Sequence, residues 1–253
     1  MKSLHKALDI IETISQLGSV GVREISTIKG FPPATSHRIL ATLTKRGYLE
    51  QDPTTKNYSL SIRFLELGTR VRDQSDLYSI ARPHLQRLMS DTGETANLVI
   101  RDGDSVVYVD QVQSDKSRLA IFTQLGARAP LYSTGVGKMM MSQWSEEERE
   151  AYYRRTDFIP FTENTIVNRS DLTEELDRIC IQGFSEDNEE TEEGVRCVAA
   201  LVYDHRQQVI AAVSISGVAM RITSDRVMEF GEKVKQCAFE ISRDLGFQSP
   251  SKS

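Results

Sequence analysis

Phe31-Pro32-Pro33-Ala34-Thr35-Ser36-His37-Arg38-Ile39-Leu40-Ala41-Thr42-Leu43-Thr44-Lys45-Arg46-Gly47 is the stretch on which the reading of the first sixty residues turns. Phe-Pro-Pro breaks the chain, and Pro33 suits the first turn of a new helix because its missing N–H has no helical partner there anyway. Ile39, Leu40 and Leu43 then set an inner face that runs to Gly47. On a 100° wheel Ser36 falls with them, while Ala34, His37, Arg38, Ala41 and Lys45 share the opposite, outward arc. Upstream, Leu4, Leu8, Ile11, Ile14 and Leu17 recur at helical steps before Gly18. Val22, Ile25 and Ile28 do the same before Gly30. Downstream, Tyr48-Leu49-Glu50 and Asn57-Tyr58-Ser59-Leu60 read as short strands around the turn-forming Asp52-Pro53-Thr54-Thr55-Lys56. Three helices and a hairpin make the order of a winged helix-turn-helix.

A helix of this kind fits the major groove of DNA, where residues near its N-terminus reach base edges. Ala34, Thr35, His37 and Arg38 occupy those positions, and Lys45, Arg46, Lys56 and Asn57 are placed for the backbone, with phosphate contacts fixing register. The competing reading is a small packing or protein-docking unit. Charge favours DNA only locally. The chain of 253 residues carries a net charge of −5, yet residues 1–60 hold eight of its 31 Lys/Arg and five of its 36 Asp/Glu, leaving 23 against 31 beyond.

Residues 61–76 read as a linker helix, from Ser61 through Arg72, with Asp73-Gln74-Ser75-Asp76 as its break and the next N-cap. From Leu77 to Asp91 a further helix follows, with Pro83 inside it. Residues 77–248 then alternate strands with helices. Residues 96–101 and 105–110 flank Asp102-Gly103-Asp104 as one hairpin, and 196–203 and 209–216 form a second. Ser145 with Glu148 makes a capping box, and Ser170 and Ser224 are the expected caps of two later helices. The fold class is α+β with an antiparallel sheet in the larger part.

No catalytic constellation emerges. Gly135-Val136-Gly137-Lys138 imitates a phosphate loop, but the spacing puts Tyr132 where a glycine is needed and Met139 where Ser/Thr is needed. Ser133 and Lys138 are five apart, not three, and His5, His37, His84 and His205 form no close pair. Six acidic residues between Glu186 and Glu193 are read as a solvated face, without EF-hand spacing. Cys180, Cys197 and Cys237 are expected to be free thiols. Hence neither metal nor cofactor is expected. With no apolar run near the roughly 20 residues of a membrane span, and no apolar signal core, a cytoplasmic protein is expected.

What remains is a polar kit. Ser133, Thr134, Gly135, Val136 and Gly137 form a glycine-flanked turn into a helix, whose free N–H groups suit a carboxylate or phosphate. Ser214 and Ser216 alternate along a strand, so both hydroxyls share one face, with Cys197 on a neighbouring strand. Ordinary sheet polarity and a buried small hydrophobe are the plain alternatives.

These residues resemble the IclR family of bacterial transcription regulators over nearly the whole chain. The likeness rests on Thr35-Ser36-His37-Arg38-Ile39-Leu40 with Gly47-Tyr48-Leu49, on Gly126 to Lys138, and on Gly183 to Ala200 followed by Ser214-Ile215-Ser216. The resemblance implies a winged-helix reader, a linker helix and a C-terminal effector domain of GAF/profilin-like fold, in homodimers or homotetramers built of two dimers. It places the effector pocket at Gly135, Val136, Asp187, Val195, Cys197, Ser214 and Ser216, a kit suited to a small carboxylate. The wording looks most like the branch holding the 2-keto-3-deoxygluconate-responsive repressor of sugar-acid catabolism. Pro33 and Ala34 depart from the small polar or basic residues usual there, and Ser36 replaces an apolar residue, implying a slightly underpacked site. The partners implied are double-stranded operator DNA and a sugar-acid or other small carboxylate effector. Two other classes stay open: a hydrolase or isomerase using Ser133 or Cys197, and a GAF-type sensor of a larger cofactor.

Overall fold

Gly18 and Gly30, both at positive φ (77° and 63°), end the first two helices of the chain, a conformation glycine adopts without steric cost. The computed structural model describes residues 2–73, 76–115 and 124–248, and the chain divides into two units, Met1–Ser75 and Asp76–Ser253. In the first, α1 (Lys2–Leu17), α2 (Val22–Lys29) and α3 (Pro33–Lys45) surround Ile10, Ile14, Val20, Ile25, Ile39, Leu40, Leu49 and Tyr58. A small antiparallel sheet of β1 (Ser19–Val20), β2 (Leu49–Gln51) and β3 (Tyr58–Leu60) has the order β1-β3-β2. The two-residue β1 is too short to show a period, so the hairpin alone is legible beforehand.

The apolar stripe of α1 is displaced from its sequence reading. Ile10 and Ile14 are fully buried, whereas Leu4, Leu8 and Leu17 are about half exposed or more. The helix turns the Ile10 side to α2 and α3 and leaves the Leu side unpartnered within this unit. Ser36 is corrected as well. It is fully buried, and its hydroxyl lies 3.0 Å from that of Ser26 on α2, which also donates to the Val22 carbonyl. A hydrogen bond between two helices, rather than slack packing, is what a hydroxyl gains at this position.

In the wing, Asp52 accepts from the Thr54 and Thr55 amides at 2.8 and 2.6 Å, which holds its carboxyl below the usual range. Helix α4 (Arg63–Asp73) follows. Its Arg63 guanidinium lies 4.9 Å over the Tyr48 ring and donates to the Arg46 carbonyl at 3.3 Å. The expected break at 73–76 includes residues 74 and 75, which lie outside the described residues.

In the second unit, among the described residues, a six-stranded antiparallel sheet has helices on both faces. Its strands are β4 (Thr95–Asp102), β5 (Ser105–Val112), β6 (Arg128–Pro130), β7 (Ser185–Asn188), β8 (Val195–Tyr203) and β9 (Val209–Val218), in the order β6-β5-β4-β9-β8-β7. On one face α5 (Asp76–Thr92) and α9 (Val227–Asp244) cover Ala96, Leu98, Val198, Ala200, Val213 and Ile215. On the other, α6 (Gly135–Met141), α7 (Glu146–Arg155) and α8 (Arg169–Gln182) cover Val99, Tyr108, Ala199, Leu201 and Ala212. Strands buried on both faces read as near-continuous apolar runs, which is how β8 and β9 look in the sequence.

Two caps differ from expectation. Asn168, in an extended conformation, caps α8 by accepting from the Ser170 amide at 2.8 Å, so Ser170 lies inside the helix. Helix α9 starts only at Val227, after a turn closed by the Arg226 amide on the Thr223 carbonyl. The Ser224 hydroxyl instead accepts from Arg196 Nη1 at 3.0 Å. The Ser145–Glu148 capping box is present as read. No described helix is long and apolar enough to cross a membrane.

The paired serines generate a test. Ser36→Ala should cost about 0.5–1.5 kcal/mol in urea unfolding, and adding Ser26→Ala should cost far less than the sum of the two single changes. Additive losses would mean that the hydroxyls do not act as a pair.

Candidate functional site

Alternation along the central strands builds a polar patch on the α6 face. Asn97 pairs with Ser214 across β4 and β9, Ser216 with Cys197 across β9 and β8, and Cys197 with Asp187 across β8 and β7. Paired residues point to the same side of a sheet, so these five side chains project together. All are buried. Asn97 Nδ2 donates to Ser214 Oγ at 3.2 Å and Ser216 Oγ at 3.1 Å, and the Cys197 thiol donates to Ser216 Oγ at 3.0 Å. Behind Asn97, its Oδ1 accepts from Gln111 Nε2 at 3.0 Å.

Facing this patch is the turn into α6. Thr134 caps the helix by accepting from the Gly137 amide at 3.1 Å. Crowding rather than φ constrains both glycines, Gly137 absolutely and Gly135 as a tight fit. A Cβ on Gly135 would meet the Asp187 amide nitrogen at 3.1 Å, and one on Gly137 would lie 2.2 Å from the Leu131 carbonyl oxygen. Ser185 Oγ donates to the Gly135 carbonyl at 2.6 Å, and Thr191 Oγ1 bridges to the Ser133 carbonyl at 2.6 Å and Asp187 Oδ2 at 3.0 Å. The Ser133 hydroxyl is fully buried without a hydrogen-bond partner. Of the sequence-named residues, Val136 sends its side chain into the apolar layer of α6–α8, and Val195 is half-buried at the start of β8.

The acidic run is not the solvated face expected of it. Asp187 and Glu190 are each 4% exposed. Lys138 is 1% exposed, and its ammonium pairs with Glu190 Oε1 and, at 3.3 Å, with Glu175 Oε1. Burial pushes the Asp187 carboxyl up, against the opposing pull of Lys138 and the Glu190 amide. Burial likewise raises Glu190 to about 7, with Lys138 opposing and Asp187 adding to the rise. Lys138 is drawn down by burial, but Glu190 and Glu175 more than offset this and hold the ammonium above its ordinary range.

Burial also drives Cys197 well up, with Asp187 adding, so its thiol keeps its proton and serves as a donor rather than a nucleophile. The Tyr108 hydroxyl is raised by burial, Cys197 and Asp187, which places a neutral phenol near the same patch. Among the described residues no group of three or more His, Cys, Asp or Glu is arranged to hold a metal, and the three cysteines are free.

Asn97, Tyr108, Lys138, Glu190 and Thr191 are additions to the sequence reading. Asn97 carries a signal, a lone amide inside the apolar run of 96–100. Lys138 and Glu190 carry none, because nothing local tells a buried charge from a solvated one.

On the first unit, Ala34, His37, Arg38, Lys45 and Arg46 are exposed on α3 and its end, with Thr35 half-buried. Lys56 is exposed at the wing tip with φ 60°, and Asn57 beside it is half-buried, its Oδ1 3.2 Å from where a Gly21 Cβ would stand.

A winged helix-turn-helix followed along the chain by an α+β domain with an antiparallel sheet is the layout of a DNA-binding regulator with an effector-binding domain. The family profiles agree. "IclR helix-turn-helix domain" matches residues 3–53, and "Bacterial transcriptional regulator IclR C-terminal" matches residues 69–243. The HTH-type transcriptional regulator KipR of Bacillus subtilis is 31% identical over 97% of this chain and 98% of its own. The HTH-type transcriptional regulator KdgR of Escherichia coli is 32% identical over 98% and 94%. The crystal structure of the Thermotoga maritima IclR superposes with a TM-score of 0.82 at 34% identity, covering 98% of this chain and 100% of that one. The chain belongs to the IclR family of bacterial transcriptional regulators.

The close approach at α6 generates a test. Gly137→Ala should destabilise the second unit by about 1–3 kcal/mol or more, because the obstacle is backbone that has to shift. Gly135→Ala should cost less. The order of the two variants in chemical unfolding checks this, and equal stability of Gly137→Ala and wild type would contradict the packing.

Proposed function

We propose that the protein is a repressor that reads its operator as a homodimer or a dimer of dimers, and that a small carboxylate or sugar acid controls its grip on DNA. The observation that carries the effector half is the interior polar patch. An amide, two hydroxyls, a thiol and a carboxylate are buried together beside a glycine turn, a costly arrangement for a merely structural layer. Ser133, Thr134, Gly135, Val136, Gly137, Asp187, Val195, Cys197, Ser214 and Ser216 are the residues proposed to hold the effector. Asn97 orients the serines. Hydroxyl and amide donors suit an oxygen-rich acid.

For the DNA half, Ala34, Thr35, His37 and Arg38 would face base edges, and Lys45, Arg46, Lys56 and Asn57 the backbone. Large apolar side chains left open on α1, on α4 and in the turn before α4, among them Leu4, Leu8, Ile62, Leu65 and Val71, support self-association. A pseudo-palindromic operator requires two reading helices at the spacing of the DNA turn. An effector that changes this pairing by the usual allosteric coupling of about 1–3 kcal/mol would shift operator affinity about 5- to 150-fold. A cytoplasmic location follows from this role.

Two experiments test this. In gel-shift or anisotropy titrations, Arg38→Ala should lose about 1–3 kcal/mol of operator affinity and relax its selectivity, whereas Lys56→Ala should weaken all DNA binding and reduce the salt slope by about 1. Unchanged operator affinity in Arg38→Ala would remove the recognition assignment. In a thermal-shift screen of keto and sugar acids, the wild type should show a stabilising ligand that the folded Ser214→Ala/Ser216→Ala variant no longer binds. A ligand that stabilises both equally binds elsewhere.

A further inference from the structure

The Glu186–Thr191 segment carries the carboxylate of the polar site, and it is tied down from beneath. The Glu190 amide donates to Asp187 Oδ1 at 2.7 Å, and the Glu190 carbonyl accepts from Thr165 Oγ1 at 2.6 Å. The Asn188 amide reaches Glu190 Oε1 at 3.3 Å, the oxygen that also takes the Lys138 ammonium. Lys138 lies one turn beyond Thr134 and Gly135 on α6, so a single buried ion pair joins the glycine turn to the loop that presents Asp187. The other carboxylate oxygen of Glu190, Oε2, is buried and has no partner.

The charges around Glu190 do not balance. Lys138 faces it from α6, Glu175 and Arg178 from α8, Glu186 and Asp187 from β7, and the neutral thiol of Cys197 from β8, where Arg196 offsets Glu186 and pairs with Glu189 at 3.4 Å. Arg178 is engaged with Glu175 through both of that carboxylate's oxygens. Arg178 thus answers Glu175, and Lys138 is left with the two carboxylates of Glu190 and Asp187 to neutralise. Glu190 also borders a cleft of about 260 Å³ lined by Asn164, Glu175, Arg178, Glu186 and Asn188, which gives protons a path from solvent.

We infer that Lys138 and Glu190 are positioning residues for the Asp187 site, and that Glu190 takes up a proton from solvent when an anion binds there. The inference rests on the effector reading of that site. A carboxylate arriving beside Asp187 adds negative charge to a buried cluster already short of cations, and the least costly response is to neutralise the carboxylate with an unpartnered oxygen. Glu190 is suited to this because burial already holds it near neutrality. Asp187 and Glu190 titrate as a pair, so the proton count belongs to the two together while the variant at Glu190 isolates its share.

The test uses the full-length protein and pyruvate as the probe, titrated calorimetrically at pH 6 and pH 8. Wild-type affinity should fall about tenfold between these values, the drop expected when binding needs one carboxyl protonated near pH 7. Glu190→Gln should bind at both values with the dependence largely gone. A wild-type slope that persists in Glu190→Gln would overturn the proton uptake.

Hydrogen exchange on the ligand-free chain tests the positioning. Lys138→Met should raise exchange at the amides of 186–191 and 135–138, while Lys138→Arg should restore much of the protection; unchanged protection in Lys138→Met would overturn it. If Lys138→Met does not fold, the charge-balanced Lys138→Met/Glu190→Gln variant serves in its place.

If pyruvate fails to bind the wild type, the keto-acid effector reading is what falls. The ligand-free arms still decide on Lys138 and Glu190. Exchange decides the positioning, and thermal unfolding decides whether Glu190 can accept the proton. Because its folded-state carboxyl lies above its unfolded value, wild-type stability relative to Glu190→Gln should decline as pH rises from about 4.5 to 7 and then level. A difference that does not change with pH would overturn the proton uptake in the absence of any ligand.

Discussion

The second unit depends on one constraint, the two-residue alternation of β4, β9 and β8. Ala96, Leu98, Val213, Ile215, Val198 and Ala200 feed the layer under α5 and α9. The residues between them, Asn97, Ser214, Ser216 and Cys197, turn to α6 with Val99, Ala199 and Ala212. A slip of one residue in any pairing would bury hydroxyls under α9 and send valines into the polar patch. Core and site are thus set by the same register.

Charge inside this site is tolerated through pairing. Removing Lys138, Glu190 and Asp187 from water is expensive, and it is offset here by backbone amides and by mutual attraction. The Glu190 and Thr191 amides serve Asp187, the Asn188 amide serves Glu190, and Thr165 and Thr191 hold the chain between them. The arrangement leaves one oxygen unserved and carboxylates in excess of cations. An interior built like this responds to a further negative charge, which is the property a ligand-controlled regulator needs.

The first unit follows a different economy. Its small core needs few side chains, and the close of α2 and α3 uses a serine pair where two apolar residues would have served. The side chains on the outward arc of α3 are exposed within this unit, and the wing turn is held by Asp52 so that Lys56 and Asn57 come last in the loop. The Leu side of α1 remains uncovered within the unit.

Much of this was legible beforehand because it is local. Helical steps, glycine stops, proline starts and alternating strands are properties of neighbouring residues, so the winged-helix order, both long hairpins and the shared face of Ser214 and Ser216 could be read directly. The burial of Asp187, Glu190 and Lys138 could not. Their partners lie up to 52 positions apart, and in the sequence an acidic run looks the same whether water or an ammonium answers it. The caps at Asn168 and Arg226 and the buried side of α1 were likewise decided by what each element packs against. Local periodicity sets which elements exist. Only the folded chain sets which charges meet, because desolvation and pairing depend on distance in space.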